Sequence, residues 1–196
     1  MTTPAAPAVI PENLVWGPGD LYIGDFGAVE PLDTALDDLP DDAVWTYMGG
    51  TNGGVEFTAD LKYDRMDVDQ VTERVGSRLT QADYTWATNL AELTLENLAN
   101  ALNGPVVVTT ADATAYEPRT GSSATQPVYR ALLIDGWGPN SARRRTIARK
   151  VLQIEKVGTA FKKDGQTFFP VTFAGHYVSG TVKPFRVIDP PPPAEG

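Results

Sequence analysis

His176 is the only histidine in this 196-residue chain, and there is no cysteine. Acid–base or nucleophilic chemistry built on histidine therefore has one base to draw on, and that base needs a nucleophile and an orienting carboxylate within hydrogen-bond reach. No neighbouring motif offers them. His176 falls in an alternating run and reads as an exposed or interfacial strand residue. Asp33, Asp37, Asp38, Asp41 and Asp42 form a second group, since hard cations take several carboxylate oxygens. Their spacing lacks the alternation, central glycine and closing glutamate of an EF-hand, and a solvated acidic loop is the simpler reading. Paired carboxylates for glycoside cleavage stay open, because such partners meet in space rather than in sequence; nothing singles out a pair. Gly17-Pro-Gly19 and Gly49-Gly50 have neither the Gly-Lys-Ser/Thr of a phosphate loop nor Gly-x-Gly-x-x-Gly before a helix. Trp16, Trp45, Trp86 and Trp137 could line a sugar-binding face, although tryptophans spread over strands are more often core or interface anchors. No catalytic residue, metal or cofactor is assigned.

Charge lies in two blocks. The formal net charge is -9, which argues against a protein that grips nucleic acid, because that affinity comes from Lys and Arg neutralising phosphates. Residues 25–42 hold seven acidic residues and no basic one, whereas residues 143–163 hold eight of the 16 basic residues against Glu155 alone. Opposite patches on one chain can pair between copies. Asp33, Asp37, Asp38, Asp41 and Asp42 on one side, with Arg143, Arg144 and Arg145 on the other, are thus candidates for an inter-subunit contact. Residues 1–8 lack the basic start and apolar core of a signal peptide, and no later stretch is long enough to span a bilayer. A soluble, intracellularly made protein with no membrane partner is expected, its folding resting on packing without disulfides.

The elements that would carry these residues are mostly strands. With 18 glycines, 16 prolines and 42% hydrophobic residues, the composition predicts one β-rich domain with many turns. Residues 1–13 read as an N-terminal arm, 14–189 as the domain and 190–196 as a Pro-rich tail. Residues 20–23 make a short strand, and the acidic stretch after it reads as a loop with too few apolar residues to hold a packed element. Residues 44–48 and 55–61 are expected to form a hairpin across Gly49-Gly-Thr-Asn-Gly-Gly54. Residues 62–81 read as an extended loop or projecting hairpin, and 82–90 as another strand. Ala91, Leu95, Leu98, Ala99 and Leu102 form an apolar stripe at helical spacing, with Asn89 and Glu92 resembling a capping box and Gly104-Pro105 as the stop. Strands follow at 106–110 and 128–134, with a polar loop at 111–127 between them. In 145–157, Ile147 and Val151 are assigned to one face and Leu152 and Ile154 to the other, so both faces should be covered.

The last long segment carries the clearest pattern. Phe169, Val171, Phe173 and Tyr177 alternate with Thr172 and His176, the period of a half-buried strand. Pro170 and Pro184 cannot donate to a ladder and favour edge or bulge positions. Pro184, Phe185, Val187 and Ile188 are therefore candidates for an exposed edge or arm that meets another subunit.

A series of runs stands in order along the chain: Leu14-Val-Trp-Gly-Pro-Gly-Asp-Leu-Tyr-Ile-Gly-Asp-Phe-Gly-Ala28, Met48-Gly-Gly-Thr, Tyr63-Asp-Arg-Met-Asp-Val-Asp-Gln70 and Leu90-Ala-Glu-Leu-Thr-Leu-Glu-Asn-Leu98. Phe169-Pro-Val-Thr-Phe173 and Val182-Lys-Pro-Phe-Arg-Val-Ile188 close it. In this succession, which covers nearly the whole chain, the sequence resembles the major tail tube proteins of long-tailed bacteriophages. The resemblance implies a β-sandwich or partly closed barrel with one flanking helix, long loops and extended terminal arms. It also implies hexameric rings stacked into a virion tail tube, with the sheets of neighbouring subunits joined edge to edge. The tube would pass double-stranded DNA without binding it specifically. The implied partners are further copies of the chain and the tape measure, tail terminator and tail tip proteins; the protein would be made in the host bacterial cytoplasm. Through the Tyr-Asp-Arg-Met-Asp-Val-Asp-Gln stretch, the resemblance points to Tyr63, Met66, Val68, Asp69 and Gln70 as ring-stacking residues. The alternative is a monomeric β-sandwich that binds carbohydrate through its tryptophans or calcium through its acidic loop.

Overall fold

The computed structural model describes residues 10–104, 107–118, 121, 124 and 126–191. Most of the expected N-terminal arm, Pro105 of the helix stop, Val106, parts of the loop at 111–127 and most of the Pro-rich tail lie outside the described residues. The elements in order are β1 (Asp20–Asp25), β2 (Thr46–Tyr47), β3 (Thr51–Val68), β4 (Val71–Leu90), α1 (Leu95–Ala101), β5 (Val107–Thr109) and β6 (Thr114–Tyr116). They are followed by β7 (Arg130–Trp137), β8 (Arg143–Gln153), β9 (Phe169–Gly175) and β10 (Phe185–Ile188). Among the described residues the fold is mainly β with one α-helix, all pairings are antiparallel, and the architecture is an open β-sandwich rather than a closed barrel.

The principal sheet runs β2-β1-β7-β8-β9-β4-β3, and β8 is where it divides. One edge of β8 pairs with β7 along most of its length, while the other is shared by β10 at residues 145–148 and β9 at 151–153. Beyond that point β9 runs on with β4, and β4 with β3, as a second layer. Strand alternation then builds two apolar clusters on opposite faces of the β1–β7–β8 layer. Leu21, Ile23, Leu132 and Ala148 point to one face, where they meet Trp86, Leu90, Phe169, Val171 and Phe173 of the second layer. Tyr22, Ala131, Leu133 and Ile147 point to the other, where they meet Leu36 and Trp45. Both faces of β8 are thus covered, but the strand ends at Gln153, and Ile154, expected on the second covered face, is 52% exposed.

Several expectations need correction. Residues 44–48 do not form a hairpin with 55–61: β2 pairs with β1, and β3 pairs with β4. The intervening glycines redirect the chain instead, with Gly49, Gly53 and Gly54 all at positive φ. The helix starts later than the capping-box assignment, because residues up to Leu90 stay in β4; Thr94 caps α1 by accepting from Asn97 N at 3.1 Å. Glu92 instead accepts from Gly50 N at 3.0 Å. Ile147 and Val151 lie on opposite faces, because β8 carries one extra residue between the pairs Leu132–Ala148 and Arg130–Val151, a bulge that inverts its parity. β6 lies inside the expected polar loop. β9 ends at Gly175, which leaves Tyr177 exposed rather than on the buried face. Pro170 lies where β9 pairs with β4 beyond the end of the β8 register, and Pro184 immediately precedes β10, which pairs only with β8; both sit where a ladder is one-sided.

The acidic stretch is the largest correction. Residues 26–45 are irregular apart from turns, yet they form a strap packed over the outer face of the β1–β7–β8 layer. Leu36 and Trp45 are buried in its cluster, with Ala28 and Val44 against them. Trp45 also donates its indole N–H to Val29 O at 2.9 Å.

Candidate functional site

Residues 62–81 form the projecting hairpin, the second of the two expected readings, and continue the β3–β4 ladder. The pairing runs from Thr51–Leu90 to Val68–Val71, leaving Asp69-Gln70 as the turn. The register puts Val55, Phe57, Ala59, Leu61 and Tyr63 on one face of this ribbon with Leu79, Ala82, Tyr84 and Trp86 of β4. Glu56, Thr58, Asp60, Lys62 and Asp64 share the other face with Arg78, Gln81, Asp83 and Thr85. A bulge lets this two-sidedness persist. Lys62 pairs with Gln81 but Tyr63 with Leu79, so Thr80 is an extra residue that switches the parity of β4 and returns Leu79 to the apolar face.

At its root the apolar face belongs to the core: Phe185 of β10 packs on Phe57, Tyr84 and Trp86 at centroid distances of 5.3, 4.9 and 5.7 Å. Farther out it is uncovered among the described residues. Every residue from 56 to 68 is exposed, including Leu61, Tyr63, Met66 and Val68, and so are Val71, Val75 and Leu79 on the return strand. At about 3.3 Å per residue the exposed part is ~40 Å long. An isolated two-stranded ribbon is marginal in water, and one with an uncovered apolar face depends on a partner surface for stability. All five ring-stacking candidates lie in its outer half. Tyr63 is on the apolar face, Met66 and Val68 are near the tip, and Asp69 and Gln70 form the turn.

The charge patches behave differently from the inter-subunit expectation. Arg145 is fully buried, with Nη1 donating to Ala35 O at 3.3 Å and Nη2 to Leu36 O at 3.2 Å and Asp38 O at 2.8 Å. Its guanidinium also pairs with the buried Asp135 at 3.0 Å. It clamps the acidic strap within one chain, through backbone oxygens rather than carboxylates, and is not available to a neighbouring subunit. Arg143 pairs with Asp135 at 3.1 Å, and Arg144 makes a bidentate contact with Asp189, both bonds 2.6 Å. That contact holds the Asp189 carboxyl below its ordinary range and raises Arg144. Asp33 is taken by Arg186 at 2.5 Å, a hydrogen bond that raises the arginine's pKa. Asp37, Asp38, Asp41 and Asp42 are exposed and have no ion-pair partner among the described residues.

The strap's other clamps carried no motif. Arg149 contacts Glu30 at 2.5 and 3.1 Å, and Arg186 reaches the same carboxylate at 3.3 Å. One signal was present: Arg145 and Arg149 bracket Ile147 at strand spacing, which places two arginines beside a buried apolar residue on one face. Of the edge candidates, Phe185 packs inward on the ribbon root and Ile188 is buried in the strap-side cluster, while Val187 is half exposed.

His176 follows β9, with Nδ1 2.9 Å from Ala174 O and its ring 5.1 Å from that of Tyr129. No nucleophile–carboxylate arrangement surrounds it among the described hydrogen bonds. Trp45 and Trp86 are buried in different clusters and Trp137 packs on Gly17, so the four tryptophans form no common platform. Among the described residues no group of three or more histidines or carboxylates could hold a metal ion. No described helix is long and apolar enough to cross a membrane. The chain matches no protein-family model, and no curated protein matches it.

Proposed function

We propose that this chain is a structural subunit that polymerises, as stacked hexameric rings, into the tail tube of a long-tailed bacteriophage. The observation that carries the reading is the exposed β3–β4 ribbon, some 40 Å long, whose face with Ala59, Leu61, Tyr63, Leu79 and Ala82 lies beyond the aromatic root and is uncovered among the described residues. A monomeric binding module has no use for such a surface, whereas a subunit that stacks on copies of itself requires one. The outer edge of β3 and that of β10 are also unpaired among the described residues and offer backbone groups to a neighbouring sheet. The net charge of -9 suits a conduit that lets double-stranded DNA pass without adhesion. The protein's partners are then its own copies and the tape measure, terminator and tip proteins of the virion tail, and it needs no cofactor or catalytic group. Negative-stain electron microscopy of the purified protein over a range of concentration and salt tests this. Rings or hollow tubes of constant width are the expected result, and a monomer under all conditions, including seeding with tail-tip complexes, overturns it.

A further inference from the structure

The dipeptide Asn-Gly occurs twice in the chain, at Asn52-Gly53 and Asn103-Gly104. Such a pair can react without a catalyst, because glycine has no side chain to keep its own backbone nitrogen from swinging onto the amide carbon of the preceding residue. The reaction asks two things of the structure. The asparagine side chain must be free of hydrogen bonds that fix it, and the glycine N–H must not be committed to a backbone acceptor.

At Asn103 the fold denies both. Its side-chain amide is held from two sides by one residue, with Nδ2 donating to Gln153 O at 2.6 Å and Oδ1 accepting from Gln153 N at 3.0 Å. The nitrogen that would attack is committed as well. Gly104 is buried, and its N–H donates to Ala99 O at 3.1 Å, which closes the end of α1.

At Asn52 both are open. Asn52 and Gly53 are exposed, and the Asn52 side chain has no hydrogen bond among the described residues; its backbone carbonyl accepts from Asn89 Nδ2 at 3.3 Å. Ala91 N donates to Gly50 O at 2.8 Å, so antiparallel alternation makes Asn52–Asn89 the next bonded pair. The Gly53 N–H then turns to the outer edge of β3, which has no strand beside it among the described residues. The ladder also loosens here. Between the pairs Asn52–Asn89 and Glu56–Ala87, Gly53, Gly54 and Val55 stand against Thr88 alone, and Gly53 and Gly54 hold φ of +85° and +76°. A Cβ built on Gly53 would meet nothing within 4 Å, so this peptide has room to rotate.

We infer that Asn52 is a site of spontaneous deamidation and that Asn103, in the same dipeptide, is protected from it. The Gly53 nitrogen gives up its proton to solvent base and attacks Asn52 Cγ; the Cγ–Nδ2 bond breaks, and ammonia leaves with a proton taken from water. Water then opens the resulting cyclic imide at either of its carbonyls, giving aspartate or isoaspartate, and nothing is oxidised or reduced. Either product adds a negative charge at the root of the ribbon, and isoaspartate also inserts a backbone carbon between residues 52 and 53. The inference is independent of the assembly reading and applies to the monomer.

Incubation in mildly alkaline buffer, with the folded protein beside a sample unfolded in guanidinium chloride, tests the assignment. Peptide mass spectrometry reads conversion of amide to acid at each site, and isoaspartyl methyltransferase labelling reads the rearranged product. The unfolded chain should lose both amides at similar rates. In the folded protein Asn52 should stay within severalfold of its unfolded rate, whereas Asn103 should slow by an order of magnitude or more, because it must wait for the end of its helix to open. Asn52→Gln should remove the methyltransferase signal from the folded protein. Asn103 reacting as fast as Asn52 in the folded protein, or Asn52 slowed as strongly as Asn103, overturns the assignment.

Discussion

Arg145 and Asp135 lie directly opposite each other on β8 and β7 and pair at 3.0 Å with both side chains sealed from solvent. The pair's role is positional, because the same guanidinium holds the carbonyls of Ala35, Leu36 and Asp38 and thereby ties the strap to the sheet. Removing one partner of a buried pair strands the other's charge, at a cost of about 3 to 5 kcal/mol. Arg145→Ala should therefore lower unfolding stability by that order in urea melts. Arg143→Ala, from a partly exposed position on the same carboxylate, should cost far less. Equal losses would mean that Arg145 does not clamp the strap.

The Arg144–Asp189 contact gives a pH dependence with a defined sign. Hydrogen bonding to Arg144 lowers the Asp189 pKa in the folded state from its ordinary 3.8. A depressed folded value means that the stabilisation is fully present above the unfolded value and is lost as pH falls through the folded one. Wild type should thus exceed Asp189→Asn in stability at neutral pH, and the gap should narrow below about pH 4. Because both side chains are more than a third exposed, the gap is small and salt should shrink it. Thermal melts of the two proteins across pH 2 to 7 check this, and a gap that widened towards acid would contradict it.

The two-faced strand at 55–61 and the buried face of 169–173 were legible because alternation reports burial directly. For residues 62–81 the projecting hairpin, which the ladder bears out, could not be told from an extended loop, because the bulge at Thr80 breaks the period in β4 and the apolar residues near the tip answer to no core among the described residues. The parity error at Val151 has the same origin in an extra residue of β8. The strap was misread for a different reason. Its cover of the sheet depends on Leu36 and Trp45, widely separated in sequence, and on Arg145 reaching backbone oxygens more than 100 positions away, which no local pattern encodes. Charge segregation was visible in the sequence, but whether the blocks meet within one chain or between chains is a question of tertiary position.

Gly49 offers a test of the bend that replaced the expected hairpin. Its φ is +79°, and a Cβ there would fall 2.3 Å from the carboxyl carbon of Glu92, the residue whose Oε1 accepts from Gly50 N. Gly49→Ala therefore meets left-handed strain of about 1 to 2 kcal/mol and displaces that carboxylate. Adding Glu92→Ala should relieve the clash but leave the backbone strain, so the double variant should remain less stable than Glu92→Ala alone. Urea midpoints of the four proteins resolve the two contributions.

The ribbon separates folding from assembly, and its apolar face is where the two should diverge. Leu61 and Leu79 are 41% and 48% exposed and stand beyond the aromatic root, so the core does not depend on them. Leu61→Thr with Leu79→Thr introduces β-branched side chains suited to strands, and the monomer's urea midpoint should move by no more than the equivalent of about 0.5 kcal/mol. If the face docks on another copy, the same substitutions remove its apolar contact and should abolish tube formation at concentrations where the parent assembles. Amide exchange supplies the companion measurement: the outer ribbon should exchange quickly in the monomer, since it lacks tertiary cover, and slow markedly in the polymer. Slow exchange already in the monomer would mean that the ribbon is self-supporting, and normal tubes from the double variant would mean that its apolar face contacts nothing that assembly needs.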